Sequence, residues 1–280
     1  TIRTGLPAVT WGRLYQGIPQ SKSTTQQVED TTGFVEGRSS VDERLLAISK
    51  NPAAVRMSEA QPFLESMAQE VQTNFFYSDT ASTPERFKGL GARYNALSMP
   101  NVVNGAGVGS DNMSVWFVTW GERQTALLYP DGTKAGVDRI DRGSQQQADD
   151  LGNYYFAKVE EFRQNIGVTV GDWRYNARIA NIDVSDLLAG SVDPYALLRK
   201  AYWKLQGRRN KKLDNGGMIS MGRTVIYANR DFMQALDGAT TNANKVLLTP
   251  PEVAGKEVLT YRGLPLRETD ALVNTETLVA

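Results

Sequence analysis

The most constraining feature of this chain is a stripe of apolar residues. Ala60, Phe63, Leu64, Met67, Ala68, Val71 and Phe75 recur at three- and four-residue intervals, which places them on one face of an α-helix of about five turns. The spacing predicts that this helix opens at Ser58, with Gln61 completing a capping box. Pro62 is tolerated on that reading because it falls in the first turn, where backbone donors have no helical acceptor. A stripe of this kind has to be covered, and core packing is the expected cover. A shorter helix is predicted just upstream, where Ser40 and Glu43 have the same capping spacing ahead of Leu45, Leu46 and Ile48.

Beyond residue 112 the pattern changes. Continuous apolar runs at 114–120 and 124–129 read as strands, and Pro130, Asp131 and Gly132 supply the turn chemistry of a hairpin, with glycine taking the positive φ. Further strands are predicted at 136–140, 154–162 and 168–182, with the polar run 144–150 as an exposed loop between them. The last third is mixed. A short helix is expected near 184–189, and a stronger one follows, capped by Asp193, opened by Pro194 and striped by Leu197, Leu198, Ala201, Tyr202 and Leu205. A strand at 224–228, a short helix at 231–236, a polar loop at 237–244 and strands at 245–248, 258–261 and 264–267 complete an α+β chain.

What this chain lacks narrows what it can do. Among 280 residues there is no histidine and no cysteine. Triads with a histidine base, thiol nucleophiles, and zinc or haem sites built on either residue are therefore excluded. Carboxylate chemistry, Ser-Lys dyads and magnesium sites survive. Without thiols, stability has to come from packing. The 31 basic residues balance 31 acidic ones, which argues against a protein whose main task is to neutralise a phosphate backbone. No run approaches the roughly 18 apolar residues of a membrane span, and the first residues lack the pattern of a secretory signal, so no membrane is expected.

Candidate sites are few. Gly105, Gly107 and Gly109 lack the spacing and the flanking strand and helix of a dinucleotide fingerprint, and a phosphate-loop Gly-Lys-Ser/Thr is missing, so a flexible loop is expected. Asp138 with Asp141, Asp149 with Asp150, and Asp183 with Asp186 do not fit a calcium loop and read as solvated surface. Arg208, Arg209, Lys211 and Lys212 form the one basic cluster; a solvated loop, an intersubunit contact and a nucleic-acid contact are its three readings. Residues 1–24 form an arm broken by Gly5, Pro7, Gly12, Gly17 and Pro19, yet bearing Leu6, Trp11, Leu14, Tyr15 and Ile18. Its apolar groups must pack either on the parent body or on a neighbour.

Three stretches resemble the major capsid proteins of tailed bacteriophages, which share the Hong Kong 97-type fold. The long helix ending at Phe75, with Tyr77, Ser78, Asp79, Thr80, Pro84, Phe87, Lys88, Gly89 and Leu90 beyond it, is similar to that family's spine helix and trailing segment. Residues 223–230 leading to Phe232 and Leu236 look like its strand, asparagine and short helix, and residues 259–267 with Asp270 like its closing Gly-x-Pro strand. Thr4, Gly5, Leu6, Pro7 and Trp11, with residues 21–25, look like the start of capsid proteins from short-tailed, podovirus-like phages, whose arms extend over neighbours. The family usually places its extended hairpin, the E-loop, before the spine helix, whereas the strand-rich region here follows it. Either residues 24–37 are a short E-loop or the strand order is rearranged.

The resemblance implies four regions: an arm at 1–24, a ribbon and spine-helix region at 25–112 that is peripheral-domain-like, a β-rich region with a long hairpin at 113–183, and a mixed, axial-domain-like region with returning strands at 184–280. It implies hexamers and pentamers of an icosahedral shell around double-stranded DNA, with Trp11, Leu14 and Tyr15 as interface anchors. Implied partners are copies of the chain, portal, scaffold or decoration proteins, and DNA packaged without sequence specificity. Assembly in the host cytoplasm and a place in the virion follow, with no catalysis, cofactor or metal. An encapsulin-like shell is the alternative within the same class, and a carboxylate-dependent metal hydrolase the alternative outside it.

Overall fold

A computed structural model describes residues 2–133, 136–205, 222–242 and 259–280. In chain order the elements are β1 (Ile2–Gly5), β2 (Thr24–Gln26), β3 (Thr32–Asp42), α1 (Glu43–Ile48), α2 (Pro52–Tyr77), α3 (Leu90–Arg93), β4 (Val102–Asn104), β5 (Asn112–Trp120), β6 (Thr125–Leu128), β7 (Val137–Ala148) and β8 (Tyr154–Val170). A 3₁₀ turn at Trp173–Tyr175 leads to β9 (Ala177–Asp183), α4 (Val184–Leu188), α5 (Pro194–Lys204), β10 (Arg223–Ala228), α6 (Arg230–Asn242), β11 (Thr260–Tyr261) and β12 (Leu264–Glu268). The α+β expectation holds.

The architecture turns on β5, which is buried on both faces. Period-two alternation sends Met113, Val115 and Phe117 to one side, where they meet Ile179 of β9 and Leu197, Leu198, Phe232 and Leu236 from α5 and α6. Trp116 and Val118 point the other way, into a second core with Phe75 and Phe76 at the end of α2, Leu90 of α3, and Ala271 and Leu272 from the last residues. Aromatic packing closes that second layer: Phe75 stacks on Trp120 at 5.3 Å between centroids, and Tyr94 meets Trp116 edge-on at 5.9 Å. β9 and β10 pair antiparallel with β5 on its two sides, and β12 continues parallel to β10.

Helix α2 starts earlier than its apolar stripe predicts. Asn51 is the cap, accepting from Ala54 N–H at 3.2 Å, and Pro52 is the first helical residue. Ser58 lies inside the helix, and Pro62 sits in the interior rather than the first turn. Pro62 is exposed, so the Ser58 carbonyl left without its donor can be hydrated. Ala60, Met67 and Phe75 are buried, whereas Leu64 and Ala68 are exposed, so the apolar face is wider than the core it covers. Ser40 likewise caps nothing. It lies within β3, and Asp42 caps α1 by accepting from Arg44 N–H at 2.8 Å.

Three strand boundaries also differ. The Pro130–Gly132 turn forms, with Gly132 at φ 81°, but β6 and β7 do not pair with each other; both lie against β8. The polar run 144–150 is mostly strand, since β7 continues to Ala148, and only residues 149–153 form the turn into β8. β8 runs unbroken to Val170, and the chain breaks at Gly171, where a Cβ would lie 2.6 Å from the Arg123 carbonyl oxygen. Helix α6 extends to Asn242, through part of the expected 237–244 loop. By contrast α4 and α5 form where expected, with Asp193 accepting from Tyr195 N–H at 2.9 Å. The basic cluster at Arg208, Arg209, Lys211 and Lys212 and the 245–248 strand lie outside the described residues.

Candidate assembly surfaces

The arm folds back on itself. β1 and β2 pair antiparallel, with Ile2 opposite Gln26, and tie the two ends of the intervening loop together. Between them Trp11 is 99% exposed and Leu14 92%, and Tyr15, at φ 64°, is fully exposed beside them. Leu6, Val9 and Ile18 are exposed as well. Six large apolar side chains in water on one short segment form a surface that folding of the chain itself leaves uncovered.

A second projecting surface is the β7–β8 hairpin. Its tip is built by Asp149, whose carboxylate accepts from Leu151 N–H at 2.9 Å and Asn153 N–H at 2.8 Å, with Gly152 at φ 82°. Leu151, Tyr154 and Phe156 are exposed around this turn. Ionic contacts brace the shaft. Arg139 pairs with the buried Glu160 at 2.7 Å, Arg142 with Glu161 at 2.7 Å, and Lys158 with Glu43 of α1 at 3.2 Å. Arg56 of α2 reaches Asp141 at 2.7 Å and also pairs with Glu160, clamping helix to hairpin. The Arg56 bond, with help from Gly143 N–H, holds the Asp141 carboxyl below its usual range. Arg142 does the same for Glu161, and the Ser144 hydroxyl followed by Lys158 for Glu43.

Beneath these extensions the last residues are fastened into the body. Glu276 accepts from Arg178 Nη2 at 2.8 Å, from Tyr77 OH at 2.5 Å and from the Ser114 hydroxyl, while its N–H donates to the Asn112 carbonyl at 2.9 Å. Arg178 also donates to the Tyr94 carbonyl at 2.9 Å and lies over the Trp116 ring at 4.9 Å. Burial, then the neighbouring Glu276 charge, raises the Tyr77 phenol, which stays a neutral donor. The remaining candidates carry no site chemistry. Gly105 and Gly107 donate to the carbonyls of Ala180 and Asn181 at 2.7 and 2.8 Å, pressed against β9 with no cradle between. Asp183 caps α4 through Asp186 N–H at 3.0 Å. Among the described residues no group of three or more Asp or Glu could hold a metal ion, and no helix is long and apolar enough to cross a membrane.

A family model described as major capsid protein GP7 matches residues 1–280. The chain belongs to the major capsid protein GP7 family. A chain of the near-atomic structure of bacteriophage epsilon15 is similar at 32% identity and a TM-score of 0.69, over 100% of this chain and 84% of that one. A chain of the satellite phage P4 procapsid with its size determination protein aligns at 12% identity and TM-score 0.33, over 65% and 88%. One from the procapsid of bacteriophage JBD30 aligns at 13% and 0.34, over 97% and 87%. Neither of the last two carries weight at those scores. A comparison with curated proteins gives no match.

A capsid protein does its work at contacts with other copies, and the GP7-family chain is a structural component of a phage shell. The arm residues Trp11, Leu14 and Tyr15 stand together on one free loop. Leu151, Tyr154 and Phe156 were not legible as surface residues, because a short apolar residue beside a turn looks the same whether it faces a core or water. Their one local signal is the Asp149-to-Asn153 turn chemistry, which marks a hairpin tip only once residues 144–148 are read as strand.

Proposed function

We propose that this capsid protein closes into hexamers and pentamers of an icosahedral shell around double-stranded DNA, with Trp11, Leu14 and Tyr15 anchored on an adjacent subunit. The observation that carries this reading is the arm: its apolar groups are fully in water in the single chain, and burying them needs a second surface. Obligate assemblies bury roughly 2,000 Å² or more per interface, and closed symmetry multiplies modest contacts. In Hong Kong 97-type terms α2 serves as the spine helix and the β7–β8 hairpin as the E-loop, displaced to a position after the spine. Residues 1–24, 25–112, 113–183 and 184–280 then serve as arm, peripheral-like, β-rich and axial-like regions. Balanced charge suits DNA held without sequence specificity. Portal, scaffold or decoration proteins complete the partners, assembly takes place in the host cytoplasm, and the chain performs no reaction.

Deleting residues 1–20 tests the reading. The truncated chain is expected to remain folded by circular dichroism and to give no shells in negative-stain electron microscopy. Shells at normal yield would overturn the role of the arm.

A further inference from the structure

The turn between β11 and β12 carries a residue that its backbone does not favour. Tyr261 pairs with Leu264, so Arg262 and Gly263 form a two-residue hairpin loop, and both have positive φ, 51° and 79°. Loops of this shape take Asn, Asp or Gly first, because a longer side chain is strained at positive φ. Nothing in the ladder calls for arginine there. Its side chain is nevertheless placed: the guanidinium lies over the Tyr202, Trp203 and Tyr261 rings at 5.2, 5.8 and 5.8 Å, and Tyr202 in turn meets Tyr261 edge-on at 6.4 Å. Arg262 is exposed, so the rings fix the guanidinium while its N–H donors stay open to an anion.

Tyr202 and Trp203 belong to α5, whose outward face continues the charge. Arg199 stands one turn before both rings, and Lys200 one turn before Trp203. Both cations are exposed, beside an indole that is 51% exposed. Helix α5 contains no acidic residue, and Asp193 just before it is taken by the cap. Lys204 turns to the Val102 carbonyl at 2.9 Å. That leaves Arg199, Lys200 and Arg262 with no carboxylate partner among the described residues. Three like charges gathered on one face of a neutral chain call for an anion from outside it. A lone carboxylate would neutralise one of them; a phosphodiester backbone, with one charge per ~1.7 Å of duplex, meets all three.

We propose that this face binds the phosphate backbone of double-stranded DNA without reading its sequence, with Arg262 as the ring-held anchor and Arg199 and Lys200 beside it. The proposal rests on the reading that the shell encloses DNA, and it names where the chain touches it.

Arg262→Asn suits the turn better than the native residue does, so it removes the charge without unfolding the chain. Binding of a short fluorescein-labelled DNA duplex to the full, unassembled chain is followed by anisotropy across a salt series. The native chain is expected to bind with an affinity that falls steeply with salt, and Arg262→Asn to bind more weakly, with a salt slope shallower by about one. Combining Arg199→Gln, Lys200→Gln and Arg262→Asn is expected to weaken binding at low salt roughly tenfold or more. Lys50→Gln, at an exposed lysine elsewhere, is expected to leave affinity and slope unchanged. No salt-dependent binding by the native chain, native affinity in the triple variant, or an equal loss from Lys50→Gln would each overturn the proposal. So would variants that bind the duplex normally but form no shells, since the face would then be a contact between copies. If the native chain forms no shells while duplex binding follows these three residues, the shell reading falls and the assignment stands. Shells at normal yield with duplex binding indifferent to the three residues leave the shell reading intact and remove only the assignment.

Discussion

Glu276 gathers three side-chain donors in a site where it and Arg178 are 5% and 6% exposed. Desolvating two charges is expensive, and a buried pair of this kind is tolerable only because every partner is present. Removing one partner is therefore worse than removing both. Glu276→Ala leaves Arg178 buried and unpaired and is expected to cost ~3–5 kcal/mol, measured by urea unfolding of the unassembled chain. The double variant Arg178→Met with Glu276→Leu is expected to recover most of that loss; a double variant no better than the single would show that the cost lies in packing. Nothing local in the sequence announces this cluster, because the partners of Glu276 lie 98, 162 and 199 residues away. The Asp193 and Pro194 cap was legible for the opposite reason, as donor and acceptor are two residues apart.

At the scale of elements the same distinction separates what periodicity reports from what it cannot. The stripe from Ala60 to Phe75 identified α2 as a helix but its start was placed at Ser58, because Ser58 and Gln61 have the spacing of a capping box although both lie inside the helix. Asn51 and Pro52 were the better boundary signal. Residues 144–148 were read as loop because hydrophobic alternation is visible only where one face of a strand meets a core, and no residue of β7 is buried. Beside the β3 ladder and the buried Ala157, Val159 and Phe162 of β8, ion pairs brace the hairpin, and they give a pH dependence with a definite sign. Asp141, Glu161 and Glu43 have folded-state pKa values depressed below their ordinary 3.8 and 4.5. Their contribution is fully present above those ordinary values and is lost as pH falls through the lower, folded ones. With no histidine in the chain, stability to urea is expected to be flat between pH 5 and 8 and to fall only below the carboxylate range. A step near neutral pH would contradict this account.

The described residues divide into a body whose two larger cores share one strand, a small third cluster where Phe162 of β8 packs with Ala60 and Met67 of α2, and two exposed extensions, the arm and the tip of the β7–β8 hairpin. Met113, Val115 and Phe117 serve one core and Trp116 and Val118 the other, so β5 cannot be exposed without opening both. Hydrogen exchange should register this division. Amides of β5, β9 and β10 are expected to exchange only through global unfolding, whereas residues 6–23 and the 149–153 turn, with exposed side chains and few backbone bonds, should exchange through local opening in the unassembled chain. Assembly changes only the second class. If the arm and hairpin are completed by neighbours, their protection rises in shells while that of β5, already at the limit set by global stability, changes little by comparison. Arm amides protected in the unassembled chain as strongly as β5 would mean that the arm packs on its own body, and the shell would need a different set of contacts.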